Sequence, residues 1–343
     1  MTMKYAAFIA AASLAALSLA ACTPKNTEQP VPDEAQGTDT IALPSSDSDS
    51  VTAPRTVEVV NAAITSDTSL VSAASVMAHA ADVTDRAYVL DFFHVDDTEK
   101  VLDRLENGSL DMAYLPLDAV IENCDTLSVM AVSAKGDYVL AETENALDTL
   151  SDLTGKTVFL PGNDARASTL FYNLLRLYEF TEENDITVVT QKNEADCLAS
   201  LLATPDSAAV LSMTTVRPAI TEENGLRAAF DLSGLWEKEK QVTTVKEVLA
   251  VSRSFLVSHG ETVSDICQTL SAAHDAVAAA EYLETLGFCG AVAAGQLVQS
   301  ERYAAVCGDA MRTLIENDMT VRGAVLVEDD AFYFGAASRK TEE

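Results

Sequence analysis

The most constraining stretch of this chain is residues 147–191, where two short apolar runs flank a single amphipathic segment. Residues 156–160 (KTVFL) have the continuous apolar, β-rich character of a strand buried in a parallel sheet, and Pro161, Gly162, Asn163 and Asp164 end it. Leu170, Phe171, Leu174, Leu175, Leu177 and Tyr178 then share one broad helical face, with Asn163 or Asp164 as N-cap. Residues 186–190 (ITVVT) supply the next strand. Strand, crossover helix and strand make a right-handed βαβ unit. The loop at 161–168 is therefore expected at the carboxyl end of a sheet, where open α/β folds bind ligands. Free amides at the helix start, beside Arg166, Ser168 and Thr169, suit an anionic or polar group.

Comparable units lie on both sides. Residues 56–62 read as a strand that leads through Thr65, Ser66, Asp67 and Thr68 into an alanine-rich helix over 69–81. Residues 88–95 form a strand, Asp97 caps a helix to Glu106, and Asn107-Gly108 stops it. A strand at 110–115 ends at Pro116, Leu117 and Asp118, and strands at 127–131 and 138–142 follow. After Gln191 come a helix at 193–203, a strand at 208–211, and a loop and helix start holding Ser212, Thr214, Thr215 and Arg217. Strands at 226–232 and 245–252 precede a mostly helical end that closes near residues 329–334. An α/β fold is expected, with one lobe of residues 55–138 plus 233–335, another of 139–232, and a cleft between them. Residues 336–343 read as a flexible tail.

The amino-terminal part has a different character. Lys4 precedes a small, apolar run over residues 5–20, of signal-peptide length and too short for a comfortable membrane span. Leu19-Ala20-Ala21-Cys22 then resembles the lipobox of bacterial lipoproteins, which implies cleavage after residue 21, acylation of Cys22 and a firm membrane anchor. A single transmembrane anchor is the competing reading. Residues 22–54 hold five of the nine prolines and a Ser-Asp run, so they bury too little apolar surface to offset their ordering entropy. They read as a disordered acidic tether.

A net charge of −31 removes nucleic acid from the possible partners, since no basic stripe is present to displace counterions from phosphates. After Cys22 there remain Cys124, Cys197, Cys267, Cys289 and Cys307. They lack metal-ligand spacing; a Cys289–Cys307 bridge and buried free thiols are both consistent with the pattern. His79, His94, His259 and His274 are scattered, and no GxSxG, GxxxxGK[ST], HExxH or GxGxxG sequence occurs. No catalytic role, metal or cofactor is therefore expected. Tyr114 and Phe159 read as core, and Trp236 as core or cleft wall.

The ordered blocks NGSLDMAYLPLDAV, DTLSDLTGKTVFLPG, ADCLASLLATPDSAAVLSMTTVRPAI, LRAAFDLSGLWE, VLAVSRSFL and DDAFYF resemble the substrate-binding lipoproteins of ABC importers. More narrowly they are similar to the nitrate, sulfonate, taurine and thiamine-precursor group, with its type II periplasmic-binding fold. The resemblance covers residues 56–334. It implies two lobes that close over a small solute, with the matching positions in the loops Thr65 to Thr68, Pro116 to Asp118, Pro161 to Ser168 and Ser212 to Arg217. It also implies a monomer that hands its solute to permease and ATPase subunits. Ligand identity does not carry over, because the loops depart from the relatives' glycine-rich pattern. Arg166 and Arg217, both expected at helix starts facing the cleft, favour a carboxylate, sulfonate or phosphonate. Asp67, Asp118 and Asp164 favour a cationic solute, although capping also accounts for them. A lipoprotein sensor or surface interaction module that keeps the fold is the alternative function.

Overall fold

The computed structural model describes residues 57–65, 72–74, 76, 87–95, 97–144, 146–180, 186–221, 223–272 and 303–338. The expected signal peptide, Cys22, the tether, Ser66, Asp67, Thr68, Cys289, most of the helix at 69–81 and the end of the tail lie outside the described residues. Among the described residues, no helix is long and apolar enough to cross a membrane.

One sheet contains β1 (Glu58–Ile64), β2 (Tyr88–His94), β3 (Met112–Pro116), β4 (Leu127–Lys135), β10 (Val245–Ser252) and β11 (Tyr303–Cys307), in the order β11-β4-β10-β3-β1-β2. β1 lies parallel to β2 and β3, whereas β10 runs antiparallel to β3 and β4. The second sheet contains β5 (Tyr138–Glu142), β6 (Thr157–Pro161), β7 (Thr187–Gln191), β8 (Ser207–Ser212) and β9 (Arg227–Asp231), in the order β7-β6-β8-β5-β9. Here β6 is parallel to β7 and β8, as the βαβ reading requires, while β5 is antiparallel to β8 and β9.

Helices cover both faces of each sheet. On one face of the first sheet lie α1 (Thr98–Glu106), α2 (Leu117–Glu122) and α9 (Gly308–Arg322), which bury Val101, Leu105, Leu117, Val120, Met311, Ile315 and Met319 in a single cluster. On the other lie α7 (Arg253–Ser258) and α8 (Gly260–Ala272), packed around Tyr114, Met130 and Leu249. The second sheet carries α3 (Ala165–Leu177) and α6 (Leu232–Lys240) on one face, and α4 (Glu194–Ala203) and α5 (Met213–Ala219) on the other. Each fully buried Leu, Val or Phe removes enough apolar area from water to contribute roughly 1.5–3 kcal/mol. The helix starts follow capping chemistry. Asp97 accepts from the Lys100 amide at 3.3 Å, and Asn193 accepts from the Asp196 amide at 2.9 Å.

One expectation changes, and the two readings of Trp236 resolve to one. The chain is not simply helical beyond residue 261: Tyr303–Cys307 is a strand that pairs antiparallel with β4. Its sequence, YAAVC, has no alternation to announce a strand, and the open edge of β4 supplies the hydrogen-bonding partners. Trp236 is 3% exposed within the core of the second sheet and does not line a cleft.

The two sheets are joined where the chain passes from β4 to β5 and from α6 to β10, and these crossings touch. The Gly136 amide donates to the Thr244 carbonyl at 2.8 Å, and the Tyr138 amide donates to Ser233 Oγ at 3.0 Å. A Cβ on Gly136 would lie 2.9 Å from Thr244 Cβ and 3.1 Å from Ser233 Oγ, so only glycine fits the approach. Gly136→Ala is expected to destabilise the fold by about 1–3 kcal/mol through overpacking. A shift of the urea midpoint, at unchanged slope, would measure the loss; an unchanged midpoint would mean that the crossings separate freely.

Candidate functional site

The carboxyl ends of β1, β3, β6 and β8, with the amino-terminal ends of the antiparallel β5 and β10, enclose a cavity of about 690 Å³ lined from both sheets. A second cavity, of about 590 Å³, is confined to the first sheet's side between α1 and α7, near Glu99, Asn123 and Arg253. The first is the better candidate, because only there do the two halves of the molecule both supply polar groups.

Of the residues expected from sequence, Thr65, Pro116, Asp118, Asn163, Asp164, Arg166, Ser212, Thr214 and Thr215 line this cavity. Leu117 is instead fully buried in the core under the first sheet. Ser168 lies one turn into α3, half-buried, and is not among the lining residues. Arg217 is not at a helix start. It sits in the last turn of α5, outside the cavity wall, because β8 runs on to Ser212 and the helix begins at once with Met213.

The anion site expected at the start of α3 is occupied by the chain's own groups. Asp164 Oδ1 accepts from the amides of Arg166 at 3.1 Å and Ala167 at 3.0 Å, and its Oδ2 accepts from the Tyr138 hydroxyl at 2.8 Å. Burial pushes the Tyr138 phenol well above its ordinary range and the Asp164 carboxylate adds to this, so Tyr138 remains a proton donor. Arg166 is 3% exposed. Its guanidinium donates to Asp318 Oδ2 at 2.5 Å and to Asp118 Oδ1 at 2.6 Å. Burial opposes the charge on Arg166, but Asp318 and Asp118 outweigh it and keep the group protonated.

Arg322 extends the network, with Nη2 at 3.3 Å from Asp118 Oδ1 and Nε at 3.2 Å from Asp318 Oδ2, the latter without hydrogen-bond alignment. Asp318 has no exposed surface, and its Oδ1 has no hydrogen-bond partner among the described residues. Since α3 packs on the second sheet, and α2 and α9 on the first, these ion pairs cross between the two halves.

The other wall was less visible in the sequence. Glu194, at the start of α4, accepts hydroxyl hydrogen bonds from Ser212 at 2.6 Å and from Thr215. Lys246 Nζ lies 2.9 Å from Asp137 Oδ1 and 5.2 Å from the centre of the Tyr138 ring. Burial works against the Lys246 ammonium, yet Asp137, Glu194 and Glu247 hold its pKa above the ordinary lysine range. Asp137 also accepts from the Thr214 amide at 3.2 Å. Glu194 follows β7, so the rule that found the other loops would have found it. Tyr138, Lys246 and Glu247 lie at the starts of antiparallel strands and become cleft residues only through topology.

The lining thus carries the carboxylates of Asp118, Glu122, Asp164, Glu194 and Glu247 against two cations, Arg166 and Lys246, each already paired within the protein. Among the described residues, no group of three or more His, Cys, Asp or Glu side chains is placed to hold a metal ion.

Sequence comparison with protein families and with curated proteins gives no match. Solved structures do match in fold. The ligand-binding component of an ABC-type import system from Staphylococcus aureus, with zinc bound, superposes with a TM-score of 0.60 at 10% identity over 77% of this chain and 90% of that one. The periplasmic aliphatic sulphonate binding protein of Escherichia coli gives 0.60 at 14% identity over 83% of this chain and 95% of that one. An ABC transporter protein of Parabacteroides distasonis gives 0.56 at 16% identity over 84% and 100%.

Asp318→Ala would leave Arg166 and Arg322 buried with one shared carboxylate, and is expected to cost about 3–5 kcal/mol in chemical unfolding. A change below about 1 kcal/mol would mean that these charges are solvated in solution. The chain has the two-lobed type II periplasmic-binding fold shared by substrate-binding components of ABC importers.

Proposed function

We propose that this protein is an extracytoplasmic solute-binding lipoprotein, anchored through Cys22, that closes over a small solute and delivers it to the permease and ATPase of an ABC importer. The observation that carries this reading is the cavity of about 690 Å³ at the carboxyl ends of strands from both lobes. Its size suits a small organic molecule, and it is bounded by two touching crossings about which lobes can rotate. The lobes are taken to meet at Gly136-Asp137 and at residues 241–244. Similarity in fold to the binding components of transport systems supports binding without catalysis.

The charge of the cleft favours a cationic or amine-bearing solute over an anion. The helix amides that would greet a sulfonate are taken by Asp164, and the arginine fork is taken by Asp118 and Asp318. Glu194, held by two hydroxyls at the cavity wall, is the carboxylate best placed to meet an ammonium group.

A thermal-shift screen of the purified protein against polyamines, amino acids, quaternary amines, sulfonates, phosphonates and carboxylates tests this. An amine at a hundredfold excess over Kd adds about 2.7 kcal/mol of stability, and the melting temperature rises by several degrees. Glu194→Gln is expected to weaken that ligand at least tenfold, about 1.4 kcal/mol. A response to a sulfonate or carboxylate that Glu194→Gln leaves intact would reverse the charge assignment. Silence from every class at millimolar concentration would overturn the transport reading in favour of a sensor or interaction module.

A further inference from the structure

Cys267 lies on α8, and Cys307 ends the edge strand β11 that packs beside it. The two half-buried thiols flank the same apolar cluster, where Cys307 Sγ donates to the Cys267 carbonyl oxygen at 3.7 Å and Cys267 Sγ donates to the Met130 carbonyl oxygen at 3.8 Å. We propose that Cys267 and Cys307 are a disulfide site, oxidised by a thiol–disulfide pool, that ties α8 to the edge of the first sheet.

The surroundings make the pair unequal. The neighbouring Cys267 side chain holds Cys307 down to about 7, against the opposing effect of burial and with help from Ser271. Proximity to Cys307 and burial push Cys267 far above the ordinary thiol range. At neutral pH, Cys307 is therefore the attacking thiolate and Cys267 the resolving thiol. Cys307 sulfur attacks one sulfur of a disulfide oxidant, forming a mixed disulfide and releasing the oxidant's first thiolate. Cys267 then gives up its proton and attacks Cys307 sulfur, closing the intramolecular bond and releasing the second thiolate. Two protein thiols lose two electrons, and one oxidant disulfide becomes two thiols. Cys197 does not compete, because it is fully buried and its thiol is pushed up to about 12 by burial, with Glu194 and Asp196 adding to it.

The bridge matters in the extracytoplasmic setting proposed above, but its chemistry can be tested without that reading. The full-length protein is incubated with oxidised glutathione, denatured in acid, and its thiols are counted. A loss of two thiols is expected, with the rate rising through pH ~7 rather than near the ordinary cysteine value of about 8.5. Cleavage after glutamate under non-reducing conditions should yield residues 262–281, which contain Cys267, joined to residues 302–316, which contain Cys307. Cys289→Ser should retain the link, and Cys307→Ser should abolish it. The oxidised protein should melt several degrees higher, and dithiothreitol should reverse the gain. An unchanged thiol count, or residues 302–316 joined instead to 285–301 through Cys289, would overturn the assignment.

Discussion

The arrangement of this molecule depends on a buried guanidinium that belongs to one lobe and is neutralised by the other. Arg166 leaves the first turn of α3 and meets Asp118 of α2 and Asp318 of α9 at 2.6 and 2.5 Å. Removing these charges from water carries a large desolvation penalty, which their attraction offsets only in good geometry. The contribution of the network is therefore orientation more than net stability. An arginine fork satisfied by two carboxylates at these distances holds the lobes in the arrangement seen here, and rotation that opens them about the crossings has to break it. Helix α9 reinforces the link, since Met311, Ile315 and Met319 pack under the first sheet while Val321 reaches the core of the second.

Hinge and network act on opposite ends of the same constraint. At the crossings, Gly136 against Thr244 brings two backbones within hydrogen-bonding distance, and the Asp137–Lys246 pair sits beside them at 2.9 Å. Across the cavity, Asp164 and Tyr138 close the start of α3 to outside anions. What faces a solute is mainly carboxylate and hydroxyl, from Glu194, Thr214 and Thr215. A strongly acidic chain thus carries a cleft of the same sign, yet it is the local groups that decide what binds, since exposed charges beyond a Debye length of about 8 Å are screened.

Much of the fold was legible because its signals are local. The apolar run before Pro161, the helical spacing of Leu170, Phe171 and Leu174, and the capping residues Asp97 and Asp164 all specify their own elements. Strand β11 was not legible, since Tyr303–Cys307 takes its conformation from the edge of β4 and carries no pattern of its own. The same division runs through the site. Loops that follow parallel strands could be placed from order along the chain, so Thr65, Asp118, Asn163 and Ser212 reach the cavity as expected. Arg217 fails because its position depends on where a seven-residue helix begins, and boundaries are weakly encoded.

By itself, the sequence determined the α/β class, the alternation of strands and helices, and the loops from which a cleft could be built, because hydrophobic periodicity and capping act over a few residues. Only the tertiary structure decided which charges are free. Arg166 and Asp318 are 152 positions apart, and Lys246 and Asp137 are 109 apart. No local pattern tells an arginine waiting for an anion from one already bound to its own protein, since that depends on which carboxylate folding brings within about 3 Å.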